Sequence, residues 1–404
     1  MQRRRKLQGA IALGVFPVAV IALSPGSGGG ELTTSAHAAA PALPAPPANG
    51  EMGFIVTHFA PAVHQGEGDC PEGLAGTLRD NYLQTVAPAE RTRLLDKANE
   101  KELTSNWQRT AFGPDGLNIC SHPDKFDRPP QRTVRGKVAY GLNLDDDTGN
   151  DGANGGGNAG GCAHDNFTSP AGEAGIDNQM WRAMGCVRTW RGVDGMGGDI
   201  VRGLDQFLVS GEHTQVLLLR GVDSLTDDPD VEVIYANSED RAIVDSRQKF
   251  IFGASYTVTG NARHRNVLRG RIAKGVLMTE PTDIRLRQTW GQGSARDIRG
   301  MRTEWDLRRG RLRLAFQPDG TLKGLVGGYQ PFWNVMASAS IGGIGAATTA
   351  GYDCAAMYAA LRNMADGDRD PNTGQCTTIS SGLEATAVPA FVNDRLPEAK
   401  VARK

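Results

Sequence analysis

The 404-residue chain has no C-x-x-C pair and no C-x-x-C-H motif, and no cysteine precedes Cys70. The first absence argues against a thioredoxin-like redox site and a cysteine-based structural zinc site. The lack of C-x-x-C-H argues against covalent haem. The lack of any cysteine before Cys70 argues against a lipobox-type anchor in the first fifty residues. Three enzyme motifs are also missing, namely G-x-S-x-G, H-E-x-x-H and G-x-x-x-x-G-K. Candidate catalytic and binding residues therefore occur only in clusters that are less specific than these motifs.

Long hydrophobic runs are scarce, since nothing after residue 38 reaches the roughly 18 consecutive apolar residues of a membrane span. The sequence opens with the basic MQRRRK and the apolar LQGAIALGVFPVAVIALS, which predict an export signal over 1–38. Adjacent Arg4 and Arg5 leave a twin-arginine route open beside the general secretory one. A Pro/Ala tether is predicted over 39–50. We expect a soluble periplasmic or extracellular protein.

Six cysteines follow the predicted signal: Cys70, Cys120, Cys162, Cys186, Cys354 and Cys376. An even number in an exported protein predicts three disulfides. Sequence alone allows fifteen connectivities. The spacing favours neighbours in order, which would pair Cys70 with Cys120, Cys162 with Cys186, and Cys354 with Cys376.

Residues 51–400 are predicted to form a single β-rich domain with a helical insertion near 87–111 and a C-terminal helix near 352–364. Several short segments alternate apolar and polar residues. The clearest is 311–317, where Leu312, Leu314 and Phe316 alternate with arginines before the turn Pro318-Asp319-Gly320. This pattern is typical of an antiparallel β-sandwich or jelly roll with a few peripheral helices, stabilised by disulfides.

Charge is balanced overall, with 45 acidic and 44 basic residues, but it is unevenly distributed. Residues 143–245 contain nineteen acids and six Arg/Lys, whereas residues 261–313 contain five acids and fourteen Arg/Lys. The basic block could be a set of solvated strand faces that balance the charge of the acidic half, or a surface for an anionic partner. The second hypothesis predicts a glycan or an anionic envelope polymer as ligand, and no nucleic acid. Its contact residues would be Arg285, Arg287, Arg311, Arg313, Trp290 and Trp305.

Acidic and amide side chains among glycines suggest a calcium site, because hard cations prefer oxygen ligands. The predicted ligands are Asp145, Asp147, Asn150, Asp151, Asp165 and Asp177. The loop is not an EF-hand, since Asn158 occupies the place of the last glutamate, and a solvated acidic loop is the alternative. A second acidic loop begins at Asp366. His164 could serve a transition metal only with partners that the sequence does not identify.

Glu304 and Asp306 are two residues apart on a predicted strand and so share one face. At that spacing two carboxyl groups can act as acid and base on a glycosidic bond, although cross-strand salt bridges are the commoner role. The sequence thus predicts an exported calcium-binding module with a glycan or envelope-polymer ligand. The alternative is a carbohydrate-active hydrolase that uses Glu304 and Asp306.

Overall fold

The computed structural model of the chain describes residues 43–148, 161–192, 198–211, 213–288, 304–340, 347 and 351–394. The predicted signal over 1–38 lies outside the described residues, as do the predicted calcium ligands Asn150 and Asp151 and the predicted glycan contact Trp290. The described part of the chain is mainly β, with 34% strand and 23% helix, which confirms the predicted class.

Twelve strands occur in the described part of the chain. They are β1 (Met52–Pro61), β2 (Gln215–Arg220), β3 (Asp227–Asn237), β4 (Ser255–Thr257), β5 (Arg265–Ala273), β6 (Val276–Thr279), β7 (Thr282–Arg287), β8 (Glu304–Phe316), β9 (Leu322–Pro331), β10 (Gly367–Arg369), β11 (Cys376–Pro389) and β12 (Phe391–Asn393).

Eight of these strands form a closed antiparallel sheet in the order β1, β2, β3, β5, β6, β8, β9, β11, with β11 pairing back onto β1. Strand β7 pairs with the first half of β8, and β10 pairs with the start of β11. Strands β4 and β12 make a separate parallel pair.

A closed sheet differs from the predicted sandwich or jelly roll. Strands that alternate apolar and polar residues look alike in both architectures, because in both one face packs on a core and the other does not. The difference depends on whether the first and last long strands pair. Here β1 pairs with β11, more than 300 residues later in the chain, and local sequence patterns carry no signal for such a contact.

The interior of the closed sheet is filled by apolar side chains. One buried cluster takes residues from all eight strands, including Phe54, Phe59, Tyr235, Trp305 and Phe316. The predicted alternation over 311–317 is confirmed, because Leu312, Leu314 and Phe316 belong to this cluster and the arginines between them face outward. After β8 the chain turns at Gly320, whose φ of +81° suits glycine.

Eight α-helices are described: α1 (Leu78–Thr85), α2 (Pro88–Leu95), α3 (Glu100–Arg109), α4 (Gln179–Met184), α5 (Arg188–Arg191), α6 (Asp199–Val209), α7 (Phe332–Ser340) and α8 (Cys354–Asn363). Short 3-10 helices cover Lys97–Asn99, Pro123–Lys125 and Ala262–His264. Helix α1 begins at a capping box, in which Thr77 and Asp80 accept hydrogen bonds from each other's backbone N–H groups. Among the described residues, no helix is both long enough and apolar enough to cross a membrane.

Two layers cover parts of the outer surface of the sheet. Residues from α1, α3, α4, α7 and α8 form a second apolar cluster that includes Ile379 of β11. A third cluster joins the outward side chains Ile55, Val216 and Ile234 to Tyr256 of β4. Helix α6 contributes Leu204 and Leu208 to the interior cluster and so packs directly on the core.

Three disulfides are present, which confirms their number and fits export to an oxidising compartment. The predicted pairing in sequence order is wrong. The bonds join residues 116, 234 and 214 positions apart, and they are Cys70–Cys186, Cys120–Cys354 and Cys162–Cys376. The cost of closing a loop grows only slowly with its length, so the fold and not the sequence spacing decides which cysteines meet.

Candidate metal centre

Asp177 lies at the centre of a buried cluster beside β9 and β11. It forms an isolated antiparallel bridge with Leu142, and its backbone N–H donates to the carbonyl of Leu142 at 3.0 Å. The N–H of Leu144 donates to Oδ2 of Asp177 at 2.6 Å. The side chain of Asp177 is completely buried. These bonds fix the carboxylate and direct Oδ1 towards the cluster.

His164 meets that free oxygen. Its Nε2 lies 2.9 Å from Oδ1 of Asp177, and its Nδ1 lies 3.0 Å from the carbonyl oxygen of Cys162. Because a carbonyl only accepts, Nδ1 carries a proton, and Nε2 is the nitrogen that can bind a metal. A backbone carbonyl on the other ring nitrogen is a typical support for a histidine ligand. Burial alone would lower the pKa of His164, but the hydrogen bond to Asp177 and the charge of Asp366 raise it to about 9.

Asp145 completes a group of three possible ligands. One atom each of Asp145, His164 and Asp177 lie within 4.8 Å of one another. Oδ1 of Asp145 accepts the N–H of Asp147 at 2.9 Å, which curls the loop after Leu144 around the carboxylate. Asp145 is 5% exposed, and burial together with the charge of Asp177 raises its pKa.

Asp366 approaches the same group from the loop after α8. Its backbone is fixed by hydrogen bonds to Cys162 and Thr378, and its Oδ1 accepts the N–H of Ser380 at 2.7 Å. Its Oδ2 is buried, has no hydrogen-bond partner within the described residues, and lies 3.9 Å from Nε2 of His164. Burial raises the pKa of Asp366 to about 7. A buried polar atom without a hydrogen bond needs a physical explanation.

The charges in this cluster do not balance. Asp145, Asp177 and Asp366 supply three carboxylates, and of the four side chains only His164 can carry positive charge. Burying charged groups without compensation is costly. The negative charges also affect the adjacent Tyr329. Burial raises the pKa of its hydroxyl, and the charges of the three aspartates raise it further.

The structure brings together only part of the predicted calcium set. Asp145 and Asp177 meet, Asp147 contributes its backbone N–H, and Asp165 is exposed. His164 and Asp366 were each noted in the sequence but were not assigned to this site. No sequence signal joins them, because Asp366 is about 200 residues away from His164 along the chain.

The second acidic loop does not fold as an EF-hand. Asp366 faces the cluster, Asp368 pairs with Arg308 at 2.7 Å, and Asp370 accepts the N–H of Asn372 at 2.7 Å. The three carboxylates thus point to three different partners. The loop instead connects β10 to β11 in a short hairpin.

Glu304 and Asp306 lie on the outer face of β8, and each faces basic side chains. Glu304 accepts hydrogen bonds from Arg263 and lies 3.4 Å from Nε2 of His264. Burial alone would raise the pKa of Glu304, but bonds to His264 and Arg263 lower it to about 2. Asp306 lies 3.5 Å from Arg285, and burial raises its pKa. Both carboxylates thus form salt bridges, and the hydrolase alternative stays a prediction.

Trp305 points the opposite way from its two neighbours. It is 6% exposed and packs edge-on against Phe59 inside the closed sheet, with 5.2 Å between ring centroids. From this position the ring does not reach a ligand on the outer surface.

Arg311 and Arg313 do line an outer cleft of about 480 Å³. Arg311 pairs with Asp146 at 2.9 Å and Arg313 with Glu173 at 2.7 Å. Three arginines and three acidic residues line the cleft, so its formal charge is zero. The other two predicted contacts lie elsewhere, since Arg285 faces Asp306 and Arg287 donates to the carbonyl of Ser238. A glycan or anionic polymer as ligand stays a prediction.

No protein-family model matches this chain, and neither a curated protein nor a solved structure is significantly similar to it.

Proposed function

We propose that this is an exported, disulfide-stabilised protein that binds a divalent metal ion through Asp145, His164, Asp177 and Asp366. The observation that carries the proposal is the buried Oδ2 of Asp366, which has no hydrogen-bond partner within the described residues and faces Nε2 of His164 at 3.9 Å. A bound cation explains why a carboxylate oxygen is buried there.

The geometry of the donors supports this assignment. Two ligands that bind an ion at about 2.1 Å lie about 3 Å apart in an octahedral site. Nε2 of His164 and Oδ1 of Asp177 are 2.9 Å apart, a hydrogen bond whose length equals that of such an edge, so an ion that displaces the proton on Nε2 could use both atoms where they stand. A divalent ion would also offset two of the three negative charges, which relieves the cost of burying them.

The imidazole favours a transition ion over the calcium predicted from the sequence. Calcium takes oxygen ligands, whereas three carboxylates with one imidazole suit Mn²⁺ or Zn²⁺. Since all four side chains are buried, the role we propose is structural. The ion would hold together the loop that carries Asp145, the 164–177 segment, and the loop between α8 and β10 that carries Asp366.

The test is to strip the protein with EDTA, add Mn²⁺, Zn²⁺ or Ca²⁺, and measure both bound metal and the melting temperature. A ligand at 100 times its dissociation constant stabilises the folded state by about 2.7 kcal/mol. Mn²⁺ or Zn²⁺ should raise the melting temperature of the wild type and bind at one ion per chain.

Asp366→Asn should abolish most of that rise, because the amide keeps the shape of the side chain and loses its charge. The matched control is Asp165→Asn, next to His164 in sequence but exposed, which should respond like wild type. No response of the wild type to any of the three ions would refute the metal site. A response to Ca²⁺ alone would refute the choice of ion.

A further inference from the structure

The outer cleft of about 480 Å³ is the feature from which a further inference can be drawn. It is lined by the outer face of β5, β6 and β8 and by the segments that carry Asn143, Asp146 and Glu173. Its lining combines charged side chains with apolar ones such as Leu142 and Met278. The volume falls within the range of roughly 300–1,000 Å³ that small-molecule sites occupy.

Two ion pairs join β8 to the facing segments and fix the shape of the cleft. Nη1 and Nη2 of Arg311 donate to Oδ1 and Oδ2 of Asp146 at 2.9 and 3.1 Å, and Nη1 also donates to the carbonyl of Asn143 at 3.0 Å. Nη1 of Arg313 donates to both carboxylate oxygens of Glu173, at 2.8 and 2.7 Å. Contacts of arginine to both oxygens of a carboxylate impose a specific geometry. The cleft is therefore preformed, and these four charges are used within the protein.

Two other charged groups of the lining do not form such pairs. The side chains of Arg271 on β5 and Glu280 after β6 make no ion pair or hydrogen bond within the described residues. Arg269 lies opposite Glu280, because the N–H of Glu280 donates to the carbonyl of Arg269 at 2.9 Å, but the guanidinium of Arg269 faces Asp230 at 4.0 Å. The cleft thus offers a ligand one free cation and one free anion.

Arg271 and Glu280 are diagonal neighbours on one face of the sheet. Arg271 pairs with Met278 in the β5–β6 ladder, and Glu280 continues the same ladder two residues later. The Cα atoms of such diagonal neighbours are about 7–8 Å apart. An extended peptide advances about 3.3–3.6 Å per residue, so the two termini of a peptide of two or three residues span this distance.

We propose that the outer cleft binds a short peptide of two or three residues with free termini. Arg271 binds the carboxylate of the peptide, Glu280 binds its ammonium group, and Met278 contacts an apolar side chain between them. A lining with zero formal charge does not attract an anionic polymer, and a neutral glycan makes no use of either free charge. The inference does not rest on the metal site, because all three contacts belong to β5, β6 and the residue after it.

The test is a titration of the full chain with the peptide Ala-Leu-Ala, followed by NMR of the peptide. Three forms are compared, with free termini, with an acetylated N-terminus and with an amidated C-terminus. We expect the free form to bind and each blocked form to bind about tenfold or more weakly, because a hydrogen bond to a charged group is lost. Glu280→Gln should bind the acetylated and free forms alike, and Arg271→Gln should bind the amidated and free forms alike.

The control is Lys274→Gln, which removes a positive charge at the tip of the same hairpin but outside the lining of the cleft. It should bind all three peptides as wild type does. The proposal is overturned if the free peptide does not bind wild type at millimolar concentration, or if blocking the termini leaves its affinity unchanged. It is also overturned if maltotriose or trigalacturonate binds wild type and the peptide does not.

Discussion

Removing the Cys162–Cys376 disulfide tests both the connectivity and the metal centre. This bond spans 214 residues, but the loop it closes is shorter while Cys120–Cys354 stays intact. The path runs about 42 residues back from Cys162 to Cys120 and about 22 residues on from Cys354 to Cys376, which makes about 64 residues. The chain-entropy relation then gives a loss of about 4 kcal/mol at 25 °C.

That loss is a large fraction of the roughly 5–15 kcal/mol by which a typical domain is stable. The assay is urea unfolding of wild type and of Cys162→Ser with Cys376→Ser. The control is Cys70→Ser with Cys186→Ser, which opens a loop of comparable effective length and so should cost a similar amount.

The two variants should differ in their response to metal. Cys162 contacts the cluster directly, because its carbonyl accepts from His164 and its N–H donates to Asp366. We expect Mn²⁺ or Zn²⁺ to stabilise the control variant more than the Cys162/Cys376 variant. A loss below about 1 kcal/mol, or a non-reducing peptide map that joins Cys162 to Cys186, would refute the reasoning.

Two further predictions concern pH and the loop beside the metal centre. Burial alone would lower the pKa of His58, but hydrogen bonds to Asp205 and Glu384 raise it to about 9. The charge of His58 therefore stabilises the folded state fully below pH 6.5, and this stabilisation is lost as pH rises through 9. Solvent weakens these ion pairs because the partners are partly exposed. Between pH 6.5 and 9.5 we expect the free energy of unfolding in urea to fall by about 1–2 kcal/mol more in wild type than in His58→Gln. Equal falls would contradict this role of His58. Gly175→Ala should destabilise by more than Gly172→Ala, because both have positive φ but only at Gly175 would a Cβ meet backbone, at 2.4 Å from the carbonyl of Asp147. Equal melting temperatures of the two alanine variants would show that the 143–148 loop yields to the extra atom.

Local patterns predicted the local parts of the fold. The strand over 311–317 and its turn at Gly320 follow from alternation and from a residue suited to positive φ, and both are present. The pairing of β1 with β11 and the three disulfides depend on contacts between segments more than 100 residues apart. No periodicity encodes such contacts, so the closed sheet and the connectivity could not be derived from the sequence.

In the candidate metal centre, too, some residues could be identified from local sequence, whereas their proximity depends on the fold. Asp145 and Asp177 belong to one acidic stretch and were predicted together as oxygen ligands. Asp366 was noted in a separate acidic loop, and His164 as a ligand without partners. The disulfide to Cys376 and the strand pairing of β10 with β11 bring Asp366 to His164. The sequence therefore identified these side chains singly, and the fold brings them together in one cluster.

The interior of the closed sheet is filled by side chains, which limits where a partner can bind. Small closed sheets of eight strands either fill their interior with side chains or leave room for one ligand. Here Phe54, Phe59, Tyr235, Trp305 and Phe316 occupy the interior and are almost fully buried. These side chains fill the interior of the closed sheet, so a binding partner would contact its outer surface.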